Sequence, residues 1–192
     1  EITSNVGVGS GLSSSASFEV LIATIINGLF NNDSFTAEKI AQISQFSENA
    51  YFGKPCGLMD QTASAVGGIL KIDFADPDNL DILKIGFNLE HTDYGLVVVN
   101  SGSSHADLTP AYASIPAEMR LVAKELGVSQ LGEASAADFH DKISKIRFKL
   151  GDRAVLRALH FFTENARVEQ MVSALESNDF SAFLTAVAAS GA

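Results

Sequence analysis

The sequence predicts an α+β fold, and three observations support this class. A glycine- and serine-rich run near the start passes directly into apolar residues at helical spacing. Short runs rich in β-branched residues follow in the middle of the chain, and most of the remainder is helical in pattern. With 192 residues, of which 46% are apolar and 19% charged, the chain can bury a core as one large domain or as parts of two.

The first half of the chain is predicted to hold three helices and then three strands. Apolar spacing predicts a first helix over residues 18–29. Thr36 is expected to cap a second helix, and a third, shorter helix is expected over residues 60–66, closed by Gly67 and Gly68. The predicted strands cover residues 69–74, 80–87 and 94–100, with a turn at 76–79 between the first two.

The second half is predicted to be mainly helical. Apolar residues share one helix face between Tyr112 and Leu126, although Pro116 lies within that pattern. Further helices are predicted over residues 136–150, 153–175 and 179–189. The pattern changes near residue 92, which predicts two partial domains, 1–92 and 93–192.

Composition restricts the function classes. The formal net charge of −10 argues against nucleic acid or an anionic membrane surface as a partner, but not against a nucleotide held by backbone N–H groups. The single cysteine, Cys56, excludes an intramolecular disulfide. The longest apolar run, residues 20–26, is too short to span a bilayer, and the first residues do not resemble a signal peptide. These features predict a cytoplasmic location. The missing initiator Met suggests a part of a longer protein, which we expect to be a monomer.

The run at residues 9–15, Gly-Ser-Gly-Leu-Ser-Ser-Ser, is the first candidate site. Glycines let the backbone approach an anion closely, and the helix that follows offers N–H groups and a partial positive charge. Serine hydroxyls add donors and potential Mg²⁺ ligands. The pattern is neither a Walker A motif nor a dinucleotide fingerprint. It is also compatible with an ordinary flexible loop capped by serine.

Two carboxylates form the second candidate site. Glu48 lies late in the second predicted helix, and Asp60 begins the third, with the glycine-containing turn 53–57 between them. Phosphoryl transfer uses such a pair, since one carboxylate can bind Mg²⁺ while the other orients or accepts the proton of the attacking hydroxyl. A structural role for Asp60 as a helix cap is the alternative.

Three motifs together resemble the galactokinases, within the superfamily of galactokinase, homoserine kinase, mevalonate kinase and phosphomevalonate kinase. Residues 8–20 are similar to the superfamily's phosphate-binding motif. Residues 56–61, Cys-Gly-Leu-Met-Asp-Gln, resemble the galactokinase catalytic motif, and residues 164–168, Glu-Asn-Ala-Arg-Val, a later signature. The resemblance covers essentially this whole chain but only about half of a family member, so both ends of the enzyme are expected to lie outside it.

The resemblance implies a fold and a set of roles. It implies the second part of a ribosomal-protein-S5-like ATP-binding half, followed by the start of a helix-rich, ferredoxin-like half. Asp60 would be the catalytic base at the C1 hydroxyl of α-D-galactose, with Mg-ATP as phosphoryl donor. Ser15 and Glu48 would bind Mg²⁺, and Gly57, Asp60 and Tyr112 would contact the sugar. The implied ATP-binding residues are Gly9, Ser10, Gly11, Leu12, Ser13, Ser14 and Ser15.

Some features depart from the family pattern or compete with it. Ile115 stands where the family commonly has an arginine, three residues after the sugar-contacting tyrosine. The run His91-Thr92-Asp93-Tyr94 matches part of a sugar signature out of place, and we assign it a structural role. His160 and Glu164 stand one helical turn apart, which we interpret as an ordinary polar pair rather than a metal site. A kinase for N-acetylgalactosamine, arabinose or galacturonate, and a non-catalytic galactose and ATP sensor, remain alternatives.

Overall fold

The computed structural model describes residues 3–7, 11–53, 56–99 and 109–191. Their contacts group into two compact units, Glu1–Ser104 and His105–Ala192. Each unit has its own buried residues. The predicted division into domains 1–92 and 93–192 remains a prediction about the complete protein.

Three helices pack on one another in the first unit: α1 (Ser14–Asn31), α2 (Ala37–Phe46) and α3 (Met59–Val66). Thr36 caps α2 as predicted, because its hydroxyl accepts a hydrogen bond from the Lys39 N–H at 3.3 Å. A π-helical turn, Ser47–Tyr51, continues directly from α2. α3 ends at Gly67, whose positive φ of 68° favours glycine, as predicted.

Two strands follow α3 and form an antiparallel hairpin, β1 (Ile69–Asp73) and β2 (Asp81–Ile85). The register pairs Ile69 with Ile85 and Asp73 with Asp81. The predicted turn between them is present, and the Asp76 carboxylate accepts a hydrogen bond from the Asp78 N–H at 3.0 Å. Both strands therefore lie where the sequence predicted them, each slightly shorter at its ends.

The third predicted strand, at residues 94–100, is wrong for the described part of that segment. Residues 94–99 have no strand structure, and Leu96 and Val99 are 85% and 81% exposed. A strand requires a neighbour for its backbone N–H and C=O groups, and the described strands β1 and β2 pair with each other. Asn100 lies outside the described residues.

The second unit contains α4 (Thr109–Leu126), α5 (Ala136–Leu150), α6 (Asp152–Glu176) and α7 (Phe180–Ser190). All four helices were predicted to within a few residues, and α4 continues through Pro116. An apolar core is formed by α4, α5, α6 and the 3-10 turn Leu131–Glu133. Its buried members are Val122, Ala123, Leu126, Leu131, Phe139, Ile146, Ala154, Val155 and Ala158.

The described residues thus form a mixed, helix-rich structure with one small two-stranded sheet. Within them, every helix is too short or too polar to cross a membrane.

Candidate functional site

The glycine- and serine-rich run lies at the start of α1. Gly9 and Ser10 are outside the described residues, whereas residues 11–15 are described. Gly11 has a φ of 77° and Ser13 a φ of 55°, both in the left-handed region. Glycine adopts this region without steric cost, and serine rarely does. The chain therefore makes a tight bend immediately before Ser14 begins the helix.

The first turn of α1 differs from those of the capped helices α2, α5 and α7. Ser13 makes no side-chain cap to α1, and the first turn holds no acidic residue. Side chains cap α2, α5 and α7, whereas α3 and α6, like α1, begin without a side-chain cap. A helix start of this kind can bind an anionic oxygen through its backbone N–H groups. Ser15 lies in this first turn and is exposed, while Leu12 is also exposed.

Glu48 lies in the π-helical turn that follows α2, and it is buried. Its Oε2 atom accepts a hydrogen bond from the Gln61 Nε2 atom of α3 at 3.1 Å. A π-helical turn widens the helix by one residue, and such turns are frequent at functional sites. A buried carboxylate requires polar partners, and Gln61, itself buried, is one of them.

Cys56 lies beside Glu48 and Gln61, and the three side chains form one polar cluster. Its thiol is hydrogen-bonded to Glu48, and Gln61 Nε2 lies 3.6 Å from its sulfur. Burial raises the pKa of the Cys56 thiol most, and the hydrogen bond with Glu48 and the negative charge of Glu48 raise it further, to about 11. The thiol therefore stays protonated at neutral pH, as expected of a packing residue rather than a nucleophile.

Asp60 is the second residue of α3 and is half-buried. The N-cap position belongs to Leu58, so Asp60 is not the N-cap of this helix. A carboxylate in the first turn still interacts favourably with the helix dipole. Gln61, the residue after Asp60, contacts Glu48, so Glu48 lies against the helix that carries Asp60.

The other two predicted sugar contacts, Gly57 and Tyr112, lie in different units. Gly57 is exposed in the first unit, and a Cβ atom placed there would meet no atom within 4 Å. Packing within the described residues therefore does not require glycine at this position. Tyr112 is 56% exposed in α4, in the second unit. Pro116, four residues later, has no N–H for the Tyr112 carbonyl.

Sequence reasoning predicted roles for Glu48 and Asp60 but assigned none to Gln61, Asn49 or Gln45. The Asn49 Oδ1 atom accepts a hydrogen bond from the Cys56 N–H at 2.7 Å, and the Gln45 Nε2 atom donates to the Cys56 carbonyl at 3.2 Å. Amide side chains carry no charge signal in a sequence. The four-residue spacing of Gln45 and Asn49, which places both on one helix face, would have been the available signal.

His91 and Glu164, which the sequence analysis considered as alternative site residues, have structural contacts among the described residues. His91 ends a 3-10 turn, Leu89–His91. The Glu164 carboxylate accepts hydrogen bonds from Arg167 Nε at 2.9 Å and from the Ser190 hydroxyl at 2.6 Å, and the second of these joins α6 to α7. The described residues contain no group of three or more His, Cys, Asp or Glu side chains suited to a metal ion.

Comparison with known proteins gives consistent results. Residues 1–68 match the family model for the GHMP kinases N terminal domain. The chain is 36% identical to a galactokinase of Streptomyces coelicolor over 180 residues, and 35% identical to a galactokinase of Glaesserella parasuis over 178 residues. Each alignment covers 93% of this chain and 45% of the relative. The chain therefore spans about half the length of the curated relatives it matches.

A solved structure gives the same result for the fold. The crystal structure of Lactococcus lactis galactokinase complexed with galactose superposes with a TM-score of 0.71 and 25% sequence identity. The superposition covers 96% of this chain and 47% of the crystallised one. The likeness thus extends over both compact units, including the α1–α3 cluster and the α4–α7 helices.

Proposed function

We propose that this chain, a homologue of galactokinases, is part of an enzyme that transfers the γ-phosphoryl group of ATP to the C1 hydroxyl of α-D-galactose. The observation that carries the proposal is the juxtaposition of Glu48 and the Asp60-bearing helix α3 through the Gln61 hydrogen bond. The start of α1 has no side-chain cap, and α1 as a whole packs against both α2 and α3; both features support the proposal. The product would be galactose 1-phosphate, and the complete protein would act as a cytoplasmic monomer.

The ATP phosphates would bind at residues 9–15. The bend at Gly11 and Ser13 immediately precedes the first turn of α1, whose backbone N–H groups would bind phosphate oxygens. Hydroxyl groups of Ser14 and Ser15 add donors for phosphate oxygens. Phosphoryl transfer depends mainly on positioning and on charge stabilisation, and a rigid helix start provides both.

Mg²⁺ fits the donor set that this chain offers. A serine hydroxyl and a carboxylate are hard oxygen ligands, and Mg²⁺ commonly takes one or two protein ligands together with substrate phosphates. Ser15 and Glu48 would hold the ion, which would neutralise charge on the phosphates when bound. Because Glu48 is buried and bonded to Gln61 and Cys56, its carboxylate is held in one orientation rather than free to rotate.

Asp60 would accept the proton of the sugar's C1 hydroxyl while the oxygen of that hydroxyl attacks the γ-phosphorus of ATP and ADP leaves. Its half-buried place in the first turn of α3 leaves the carboxylate reachable by a substrate. Gly57 would let a sugar approach the backbone closely, because nothing of this chain fills the space a side chain would take. Tyr112 would supply a further sugar contact from the second unit.

The finer architecture is also part of the proposal. The first unit would belong to a ribosomal-protein-S5-like half and the second to a ferredoxin-like half. Both halves need more strands than β1 and β2. The supporting observation is that the chain spans 45% to 47% of its relatives' length, so further strands would come from the remainder of a complete protein.

The test is ADP release by the complete protein with Mg-ATP and a panel of sugars. Release with galactose is the expected result. Release only with N-acetylgalactosamine, arabinose or galacturonate would replace the substrate while keeping the reaction. No release from a folded protein that is nevertheless stabilised by galactose and ATP would overturn the kinase and leave a ligand sensor.

A further inference from the structure

Two amide side chains hold the loop that leads into α3. Asn49 contacts both backbone polar groups of Cys56: its Oδ1 atom accepts from the N–H at 2.7 Å, and its Nδ2 atom donates to the carbonyl at 3.3 Å. Gln45, one helical turn earlier, donates to the same carbonyl at 3.2 Å. We call Gln45 and Asn49 the amide clamp. Three hydrogen bonds thus fix the peptide groups on both sides of Cys56.

The clamp acts on a segment that contains glycine on both sides of Cys56. Gly53 has a φ of 66°, Gly57 is exposed, and a Cβ atom at either would meet nothing within 4 Å. Glycines lose more conformational entropy on ordering than other residues, so this loop is costly to fix. Cys56 lies only four residues before Asp60. Fixing its backbone therefore sets where the first turn of α3 lies relative to Glu48.

We propose that Gln45 and Asn49 are positioning residues, which act through the Cys56 backbone to hold Asp60 and Gly57 in place for the sugar. This inference rests on the proposed kinase function for its catalytic part. The side-chain hydrogen bonds of the clamp residues go to the Cys56 backbone. Their effect is on the rate of the reacting complex, because small displacements of a catalytic group lower turnover strongly.

Cys56 provides a readout that does not depend on activity. It is the only cysteine of this chain, so thiol labelling reports on the loop alone. We expect Asn49→Ala to accelerate alkylation of Cys56 by iodoacetamide about tenfold, because the loss of two hydrogen bonds favours opening of the loop. Asn49→Asp keeps the acceptor for the Cys56 N–H and loses the donor, so its acceleration should be smaller.

Gln42→Ala is the matched control. Gln42 lies in α2 one turn before Gln45 and also donates to backbone carbonyls, but to those of Pro77 and Asp78 in the hairpin turn, at 3.2 and 3.1 Å. Gln45→Ala should accelerate Cys56 labelling, and Gln42→Ala should not. Equal labelling rates in these two variants, with unchanged far-UV circular dichroism, would overturn the clamp.

The catalytic part is tested in the complete protein with the same four variants. We expect Asn49→Ala and Gln45→Ala to lower kcat about tenfold with little change in KM for ATP, and Asn49→Asp to recover part of the loss. Faster Cys56 labelling with unchanged kcat would overturn the positioning role while leaving the kinase intact. If the complete protein without any substitution showed no turnover, the proposed function would be overturned. The labelling result would still decide whether the clamp exists.

Discussion

The Cys56 thiol lies half-buried beside the Glu48 carboxylate, which makes it an unusually weak acid. Its raised pKa of about 11 means that the thiolate, which is the reactive form, is scarce in the folded chain. We expect alkylation near pH 8 to be about 100-fold slower in the folded chain than in urea. The rate should rise with pH toward 11 rather than level off near 9.

The same proton links stability to pH. The pKa of Cys56 is higher in the folded chain than its ordinary value of 9.0, so the linked stabilisation is present below about pH 9 and is lost as the pH rises toward 11. Glu48→Gln removes a charge that opposes the thiolate and should shift the alkylation profile to lower pH. A profile unchanged by that substitution would contradict the assigned contact.

Asp60 is the residue on which the proposed chemistry depends most. In the complete protein, Asp60→Asn keeps size and helix position but cannot accept the sugar proton, so we expect kcat to fall on the order of 100-fold or more. Glu90→Gln, an exposed carboxylate in a 3-10 turn, is a suitable control with expected normal turnover. Full activity of Asp60→Asn would assign Asp60 a role in the helix dipole alone.

Single residues were only partly predictable. Glu48 and Asp60 were predicted because phosphoryl transfer uses a pair of carboxylates and because residues 56–61 resemble the galactokinase catalytic motif, and their roles stay predictions. Gln61 could not, because its importance comes from the π-helical turn that brings Glu48 over α3, and one extra residue in a helical turn leaves no periodic signal. The amide clamp was missed because amide side chains carry no charge signal in a sequence.

Helix ends illustrate how much of each element is set locally. Ser135 begins α5 with a capping box: its hydroxyl accepts from the Asp138 N–H at 3.0 Å, and the Asp138 carboxylate accepts from the Ser135 N–H at 3.4 Å. We expect Ser135→Ala to lower the free energy of unfolding by about 1 kcal/mol. Urea unfolding followed by far-UV circular dichroism measures this difference.

Ser144, exposed in the middle of the same helix, gives a control of opposite sign. Alanine has the higher helix propensity, so Ser144→Ala should raise the free energy of unfolding by a few tenths of a kcal/mol. If both substitutions changed stability equally, the cap would contribute nothing beyond propensity.

Helices were predictable here, and one strand was not, for a physical reason. A helix satisfies its backbone groups within its own segment, so the local pattern of α5 or α6 is nearly sufficient. A strand depends on a neighbour that can be distant in sequence. The hairpin β1–β2 contains both partners within a short span, whereas residues 94–99 have the composition of a strand without a described partner strand.

At the scale of the whole chain, the two units differ in how completely they bury apolar surface. The second unit encloses an apolar core around Phe139 and Ile146, both fully buried. The first unit leaves Leu29 and Phe30 of α1 exposed, together with residues 95–99. Large exposed apolar surfaces usually mark an interaction site. Since the chain spans 45% of its relatives, we expect the rest of a complete protein to cover this surface.

Val97 distinguishes the exposed state from the covered one. It is 78% exposed in this chain, so Val97→Lys should change the free energy of unfolding of the 192-residue chain by no more than about 0.5 kcal/mol. In the complete protein the same substitution would place a charge inside a completed sheet and should destabilise it by more than about 2 kcal/mol. Val122→Lys, at a fully buried position of the second unit's core, should unfold that unit in both proteins. A small effect of Val97→Lys in both proteins would mean that residues 95–99 stay exposed in the complete protein. A large effect in both would mean that this segment is already a buried strand in the 192-residue chain, as its sequence pattern predicted.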